Sequence, residues 1–205
     1  MTARRQGSGA GVAPEVAAGT ELDRRTSARD GASLGRPRRR DGKGDRAAFT
    51  VREATIADLS TVVELRLALL RENGDHPIYG RLRADAYDRA HDLFGAQLHS
   101  AHEVMFLAER EGQIVGILRC VDTPNSPLLH PARYCYVSSV YVRPNVRRRG
   151  VLKALLRHAA DWCIEHGLHE MRLHNVPGGS ASAAWEAEGF EVMEEVRRRV
   201  IGTTT

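Results

Sequence analysis

From Phe49 onward the apolar residues follow two spacings, and each predicts its own kind of element. "FTVREA" alternates and predicts a short strand. In "TIADLSTVVELRLALLRENG" the apolar positions Ile56, Leu59, Val62, Val63, Leu67 and Leu70 recur at helical spacing. Thr55 and Asp58 supply a start signal, and Gly74 supplies a stop. "DHPIYGR" reads as a loop. "ADAYDRAHDLFGAQLHSA" reads as a second helix, with Tyr87, Ala90, Leu93, Phe94 and Leu98 on one side. The period then drops to two. "EVMFLAEREGQIVGILRCVDT" predicts a hairpin turning at Glu111-Gly112. "RYCYVSSVYVRP" predicts a strand stopped by Pro144. Leu152, Leu155, Leu156, Ala159 and Cys163 then mark a helix that closes at Gly167. "HEMRLHNV" predicts a strand, "SASAAWEAEG" a short helix and "FEVMEEVRRRVI" a final strand. The order is β-α-α-β-β-β-α-β-α-β, an α/β fold on a mixed (α+β type) sheet.

The first 48 of the 205 residues do not fit this picture. They hold no aromatic residue, and Leu22 and Leu34 are their only large aliphatics besides two valines and Met1. Such a segment cannot bury enough surface to offset its chain entropy, so a disordered basic extension over 1–48 and a folded domain over 49–205 are expected. Charge divides at the same place. Residues 1–48 carry 11 of the 30 basic residues and 6 of the 26 acidic ones, a net of +5. The remaining 19 basic and 20 acidic residues net −1. The high pI therefore belongs to the extension, which weakens any case for a nucleic-acid partner of the folded part. The extension has no apolar stretch of a secretory signal, and no run long enough to span a membrane occurs. Cys120, Cys135 and Cys163 lack metal-ligand spacing and read as small buried side chains of a cytoplasmic protein. The histidines show no ligand spacing either, so no metal is expected.

One stretch carries more charge than a solvated face needs. "RPNVRRRGVLKALL", residues 143–156, runs three arginines into a glycine at the mouth of a helix. A helix start leaves backbone N–H groups unpaired, and the helix dipole makes that point positive. Gly150 lets a ligand approach the backbone, and Arg147, Arg148, Arg149 and Lys153 add charge. The stretch reads as a cradle for a pyrophosphate. It matches neither the P-loop nor the dinucleotide glycine pattern.

"VYVRPNVRRRGVLKALL" resembles motif A of the GNAT acetyltransferase superfamily, a strand and a proline followed by [QR]-x-x-G-x-[GA] at a helix start. Arg147 and Gly150 match, while Leu152 departs from the final small residue. "SASAAWEAEGF" resembles motif B: Ala181, Gly189 and Phe190 match, and Trp185 stands where a tyrosine is usual. The resemblance covers residues 49 to about 201 and implies a GNAT-like fold with a central, splayed mixed sheet flanked by helices. It also implies acetyl-CoA as co-substrate. Its phosphates would rest on Arg147, Arg148, Arg149, Gly150, Val151, Leu152 and Lys153, and its pantetheine arm would lie along the backbone of Val140 and Val142.

The activity implied is transfer of the acetyl group to a primary amine of a small molecule or protein, by direct attack on the thioester. Such attack calls for a base and an acid. The family's usual carboxylate in the first half of the motif A strand is missing; Tyr136, Val137, Ser138 and Ser139 stand there. Trp185 has no acidic proton to give and reads as a packing residue. Ser139, Tyr141 and His76 are the catalytic candidates that remain, with Tyr136 a further phenol nearby. The connection "ENGDHPIYGR" lies over the acceptor site in this family, and its acids Glu72 and Asp75 would suit a cationic amine. Two alternatives stand beside this reading. One is an acetyl-CoA-binding module without catalysis; the other is a nucleic-acid binder using the arginine-rich extension. A homodimer is compatible with the family resemblance.

Overall fold

The elements follow the polar–apolar pattern closely up to about residue 168. The structure is a computed structural model and describes residues 49–176, 178 and 181–202. The extension expected over residues 1–48 lies outside the described residues. One sheet holds five strands in chain order: β1 (Thr50–Glu53), β2 (Glu103–Arg110), β3 (Gln113–Pro124), β4 (Arg133–Val142) and β5 (Met171–Arg172). The first four pair antiparallel; β4 and β5 are parallel. Helices α1 (Leu59–Glu72) and α2 (Ala86–Gln97) join β1 to β2. Helix α3 (Val151–Glu165) makes the β4–β5 crossover, and α4 (Ser182–Ala187) follows β5. The β2–β3 hairpin turns on Glu111 and Gly112, whose φ values of 53° and 74° match the twist of the flanking strands.

Each face of the sheet has its own core. On one, Phe106, Leu118, Cys120, Cys135 and Val137 pack against the α3 stripe Val151, Leu155, Leu156, Ala159, Trp162 and Cys163. On the other, Met105, Leu107, Ile117 and Tyr141 pack against Leu59, Val62, Val63 and Phe94. α1 is preceded by a single 3₁₀ turn, Ile56–Asp58. The Asp58 carboxylate accepts the Thr55 N–H at 2.8 Å and the Arg52 guanidinium at 2.7 and 2.8 Å, so the predicted start signal is tied to β1 as well.

Two departures are found near the carboxyl end. β5 has two residues where "HEMRLHNV" predicts eight. The final strand expected over 190–201 is not formed, and the described order is β-α-α-β-β-β-α-β-α. Alternation fails there for a physical reason. The face carrying Phe190, Val192, Val196 and Val200 is interrupted by Glu194 and Arg198, which could not be buried against a neighbouring strand without partners. Val192, Met193, Val196, Val200 and Ile201 are accordingly exposed.

Candidate functional site

The site grows out of two irregularities in β4. The first is a bulge. Ile117 pairs with Tyr141 and Arg119 with Ser138, so Ser139 and Val140 together stand opposite Leu118. Ser139 takes φ 52° to make the bulge and is buried. The extra residue reverses the strand's phase. Before it, Cys135 and Val137 face α3. After it, Val140 and Val142 face α3, and Tyr141 turns to α1. Tyr136 and Tyr141, an odd number apart, therefore share the α1 face.

The second irregularity is a fork. β5 pairs with β4 only at Cys135–Met171 and Tyr136–Arg172. Beyond Tyr136, from Val137 to Val142, β4 offers an edge that no described strand covers. Val140 and Val142 thus sit on an open strand edge, directly after the bulge.

The edge leads to the arginine stretch. Arg148 and Gly150 take φ of 60° and 88°, and this pair of left-handed residues turns the chain into α3. An added Cβ at Gly150 would meet nothing within 4 Å, so the approach to the backbone is clear. The first helix-closing bond runs from the Ala154 N–H to the Gly150 carbonyl at 3.0 Å. The amides of Val151, Leu152 and Lys153 are left free of helical partners. Arg148, Arg149 and Lys153 are exposed beside them. An open cleft of about 460 Å³ is lined by Gly150, Lys153, Ala154, Leu156, Arg157 and Glu188. The side chains of Val151 and Leu152 pack into or against the core, so these two can serve a ligand only through their backbone. These residues fit a pyrophosphate: amides, positive dipole, spare cations and open space converge.

Arg147 is differently placed. Its Nη2 donates to both Glu72 oxygens at 2.7 Å, and its Nε donates to the Val142 carbonyl at 2.8 Å. Its guanidinium lies 5.6 Å from the centre of the Tyr141 ring. Arg147 ties the ends of β4 and α1 together instead of pointing freely into the cleft.

The catalytic candidates do not converge on one point. Tyr141 donates to Glu72 Oε1 at 3.3 Å and is buried. Burial first, then the Glu72 charge and this bond, raise its pKa, so it holds its proton. His76 is stacked on Tyr79 at 4.6 Å. Its Nδ1 accepts the backbone N–H groups of Ile78 and Tyr79, both at 3.3 Å. Nδ1 of His76 is thus occupied by amides of its own loop. Ser139 contributes the bulge itself. Trp185 packs edge-on against Phe190 with ring centres 5.4 Å apart.

Other groups reach the fork: Tyr136, the further phenol of the sequence reading, and His174 and Arg66, which that reading did not name as candidates. The Tyr136 hydroxyl and His174 Nδ1 are 3.1 Å apart at its apex. Burial raises the Tyr136 pKa as well. Arg66 of α1 bears on the same phenol, and Arg119 of β3 donates to Ser138 Oγ at 3.2 Å while paired with Glu103. The signal for Arg66 was present: a cation at three and four residues from Val63 and Val62, inside an apolar stripe. The three cysteines are buried together, and hydrogen bonding with Cys120 and burial push the Cys135 thiol up to about 12. They remain inert thiols. No helix among the described residues is long and apolar enough to cross a membrane.

The model of the acetyltransferase (GNAT) family matches residues 68–190, from the middle of α1 through the open edge and the α3 start to α4. The chain belongs to the GNAT acetyltransferase family. It is an acetyl-CoA-dependent acyltransferase. No protein of curated function matches this GNAT chain in sequence. Among solved structures, a GCN5-related N-acetyltransferase from Ralstonia eutropha is 22% identical with a TM-score of 0.62, over 76% of this chain and 100% of that one. A predicted acetyltransferase with acetyl-CoA from Clostridium acetobutylicum is 21% identical with a TM-score of 0.61, over 75% and 96%. AAC(6')-Iy in complex with a CoA bisubstrate analog is 23% identical with a TM-score of 0.61, over 76% and 99%. At these identities the likeness is one of fold.

Proposed function

We propose that this GNAT protein transfers the acetyl group of acetyl-CoA to a primary amine by direct attack. The acceptor is a small molecule or an exposed amine of a protein. The observation that carries the reading is the bulge at Ser139–Val140 opening onto an uncovered strand edge that ends at the α3 amides. In this reading the amides of Val151, Leu152 and Lys153, with Arg148, Arg149 and Lys153 side chains, take the phosphates. The Val140–Val142 edge takes the pantetheine amides as a neighbouring strand would. The Val140 N–H, released from the ladder by the bulge, faces the thioester carbonyl and stabilises the charge that develops on its oxygen. The Tyr136–His174 pair handles protons: the imidazole takes one from the incoming ammonium, and the phenol, kept protonated by burial, donates one to the leaving sulfur.

Release of free CoA thiol from acetyl-CoA, followed over a panel of amines, tests this reading. Amine-dependent release is expected, with Tyr136→Phe and His174→Gln each lowering kcat by about tenfold or more. Both variants should keep their affinity for acetyl-CoA. Binding without release from any amine would favour the non-catalytic module instead.

A further inference from the structure

One segment of the domain lies unpaired, and its sequence is complementary to itself. From Phe190 to Gly202 the chain runs on without helix or turn. The Phe190 N–H donates to the Trp185 carbonyl at 3.0 Å; beyond it, among the described residues, no backbone hydrogen bond reaches 191–202. One side-chain bond ties this stretch to the rest of the described domain, from Arg198 Nη1 to the Pro77 carbonyl at 3.3 Å. In an extended chain Val192, Val196 and Val200 share a face, and they are 87%, 73% and 69% exposed. Unpaired N–H and C=O groups beside a row of valines invite another strand. The charges select which strand. Glu194 and Arg198 stand between the valines on the same face. Laid antiparallel on a second copy of itself, with the two-fold axis at Val196, the segment meets its own complement. Val192 then faces the partner's Val200, Val196 faces the partner's Val196, and Glu194 faces the partner's Arg198. On the opposite face Glu195 meets the partner's Arg197. Within one chain these two side chains are 2.8 Å apart and 73% and 88% exposed, so both are open to a second copy. A shift of two residues in either direction would set Arg197 or Glu195 against its own copy, and Glu194 and Arg198 against valines. An in-register parallel pair would set every charge against itself.

We infer that residues 192–200 are a dimerisation strand, through which two copies of this chain pair antiparallel about Val196. The pairing accounts for the two charges that interrupt an otherwise apolar face, because a second copy supplies each with its opposite. Arg198 has five N–H donors, so its bond to Pro77 does not exhaust it. The inference is independent of the acyl-transfer reading above. A strip of this size is small for a specific interface, so the expected Kd is on the order of micromolar.

The test is sedimentation velocity of the full chain from about 1 to about 200 µM, a range that brackets such a Kd. A monomer–dimer equilibrium is expected for the wild type. Glu194→Arg alone, and Arg198→Glu alone, each put like charges face to face at two places, and each should weaken the dimer about tenfold or more. Both side chains are exposed, so neither change should disturb the fold, and thermal melts of the variants check this. Mixed in equal amounts, the two variants have opposite charges at both places again and should form a heterodimer of near wild-type strength. A wild type that stays monomeric over the whole range, a dimer that both variants keep at unchanged strength, a mixture that fails to pair, or assemblies larger than a dimer would each overturn the inference.

Discussion

Arg147 and Glu72, 75 residues apart in the chain, are joined by two hydrogen bonds of 2.7 Å that fasten the end of α1 to the loop before α3. The first arginine of the 147–149 run is thus neutralised from the end of α1. Its formal charge is only partly available to phosphates.

Glu72→Gln should therefore leave Arg147 with an unopposed charge and tighten acetyl-CoA binding several-fold at low salt. The gain should shrink as ionic strength rises. Both partners are about two-fifths exposed, so the pair contributes at most about 1 kcal/mol, and the melting temperature should change little. Titration of acetyl-CoA at two salt concentrations checks this. Weaker binding in the variant would show that Glu72 organises the cradle.

Gly116 on β3 lies directly under the first turns of α3. A Cβ there would lie 3.1 Å from Val151 Cγ1, 3.2 Å from the Tyr141 carbonyl and 3.3 Å from Leu155 Cδ1. Gly116→Ala should lift the first turn of α3 and cost about 1–3 kcal/mol. Because that turn carries the free amides, acetyl-CoA affinity should fall together with the melting temperature. A stability loss with unchanged affinity would separate the helix position from the cradle.

The Arg52–Asp58 contact predicts a pH dependence. Hydrogen bonding from Arg52 holds the Asp58 carboxyl well below the usual range, against the opposing effect of burial. A depressed folded pKa gives stability that is present above the unfolded value, about 3.9, and lost as pH falls below it. Asp58→Asn should cost about 1 kcal/mol at neutral pH, as the loss of a helix-start contact does. The gap between wild type and variant should close as pH drops under about 4, measured by thermal melts across pH. A gap that stays constant with pH would mean the charge has no part in it.

How much of this was readable in the sequence depends on what sets each feature. α1, α2, α3 and the β2–β3 hairpin follow from local periodicity and turn residues, and the start signal at Thr55 and Asp58 is local too. The proposed phosphate cradle is equally local, since Gly150 and its cations adjoin one another. The bulge was not legible. Nothing in "YVSSVYV" marks Ser139 as the residue that reverses the phase, because the register is set by β3. Arg147 reads as a phosphate ligand until α1 brings Glu72 to it. The Tyr136–His174 pair and Arg66 likewise depend on chain segments far apart in sequence. The last strand failed for the opposite reason: apolar residues were abundant, but Glu194 and Arg198 interrupt the face they would form.

The most direct measurement is a thermal melt with acetyl-CoA, with ATP as a control polyphosphate, on wild type and Gly150→Glu. A ligand at a hundred times its Kd adds about 2.7 kcal/mol of stability, several degrees for a domain of this size. The variant has open space for its side chain but strains the left-handed backbone at φ 88°, so its melt without ligand is recorded first; it places a carboxylate where the phosphates would sit. A shift with acetyl-CoA and not ATP, lost in Gly150→Glu, is the result predicted. An equal shift with both polyanions, or one that survives in the variant, would contradict a cradle at the start of α3.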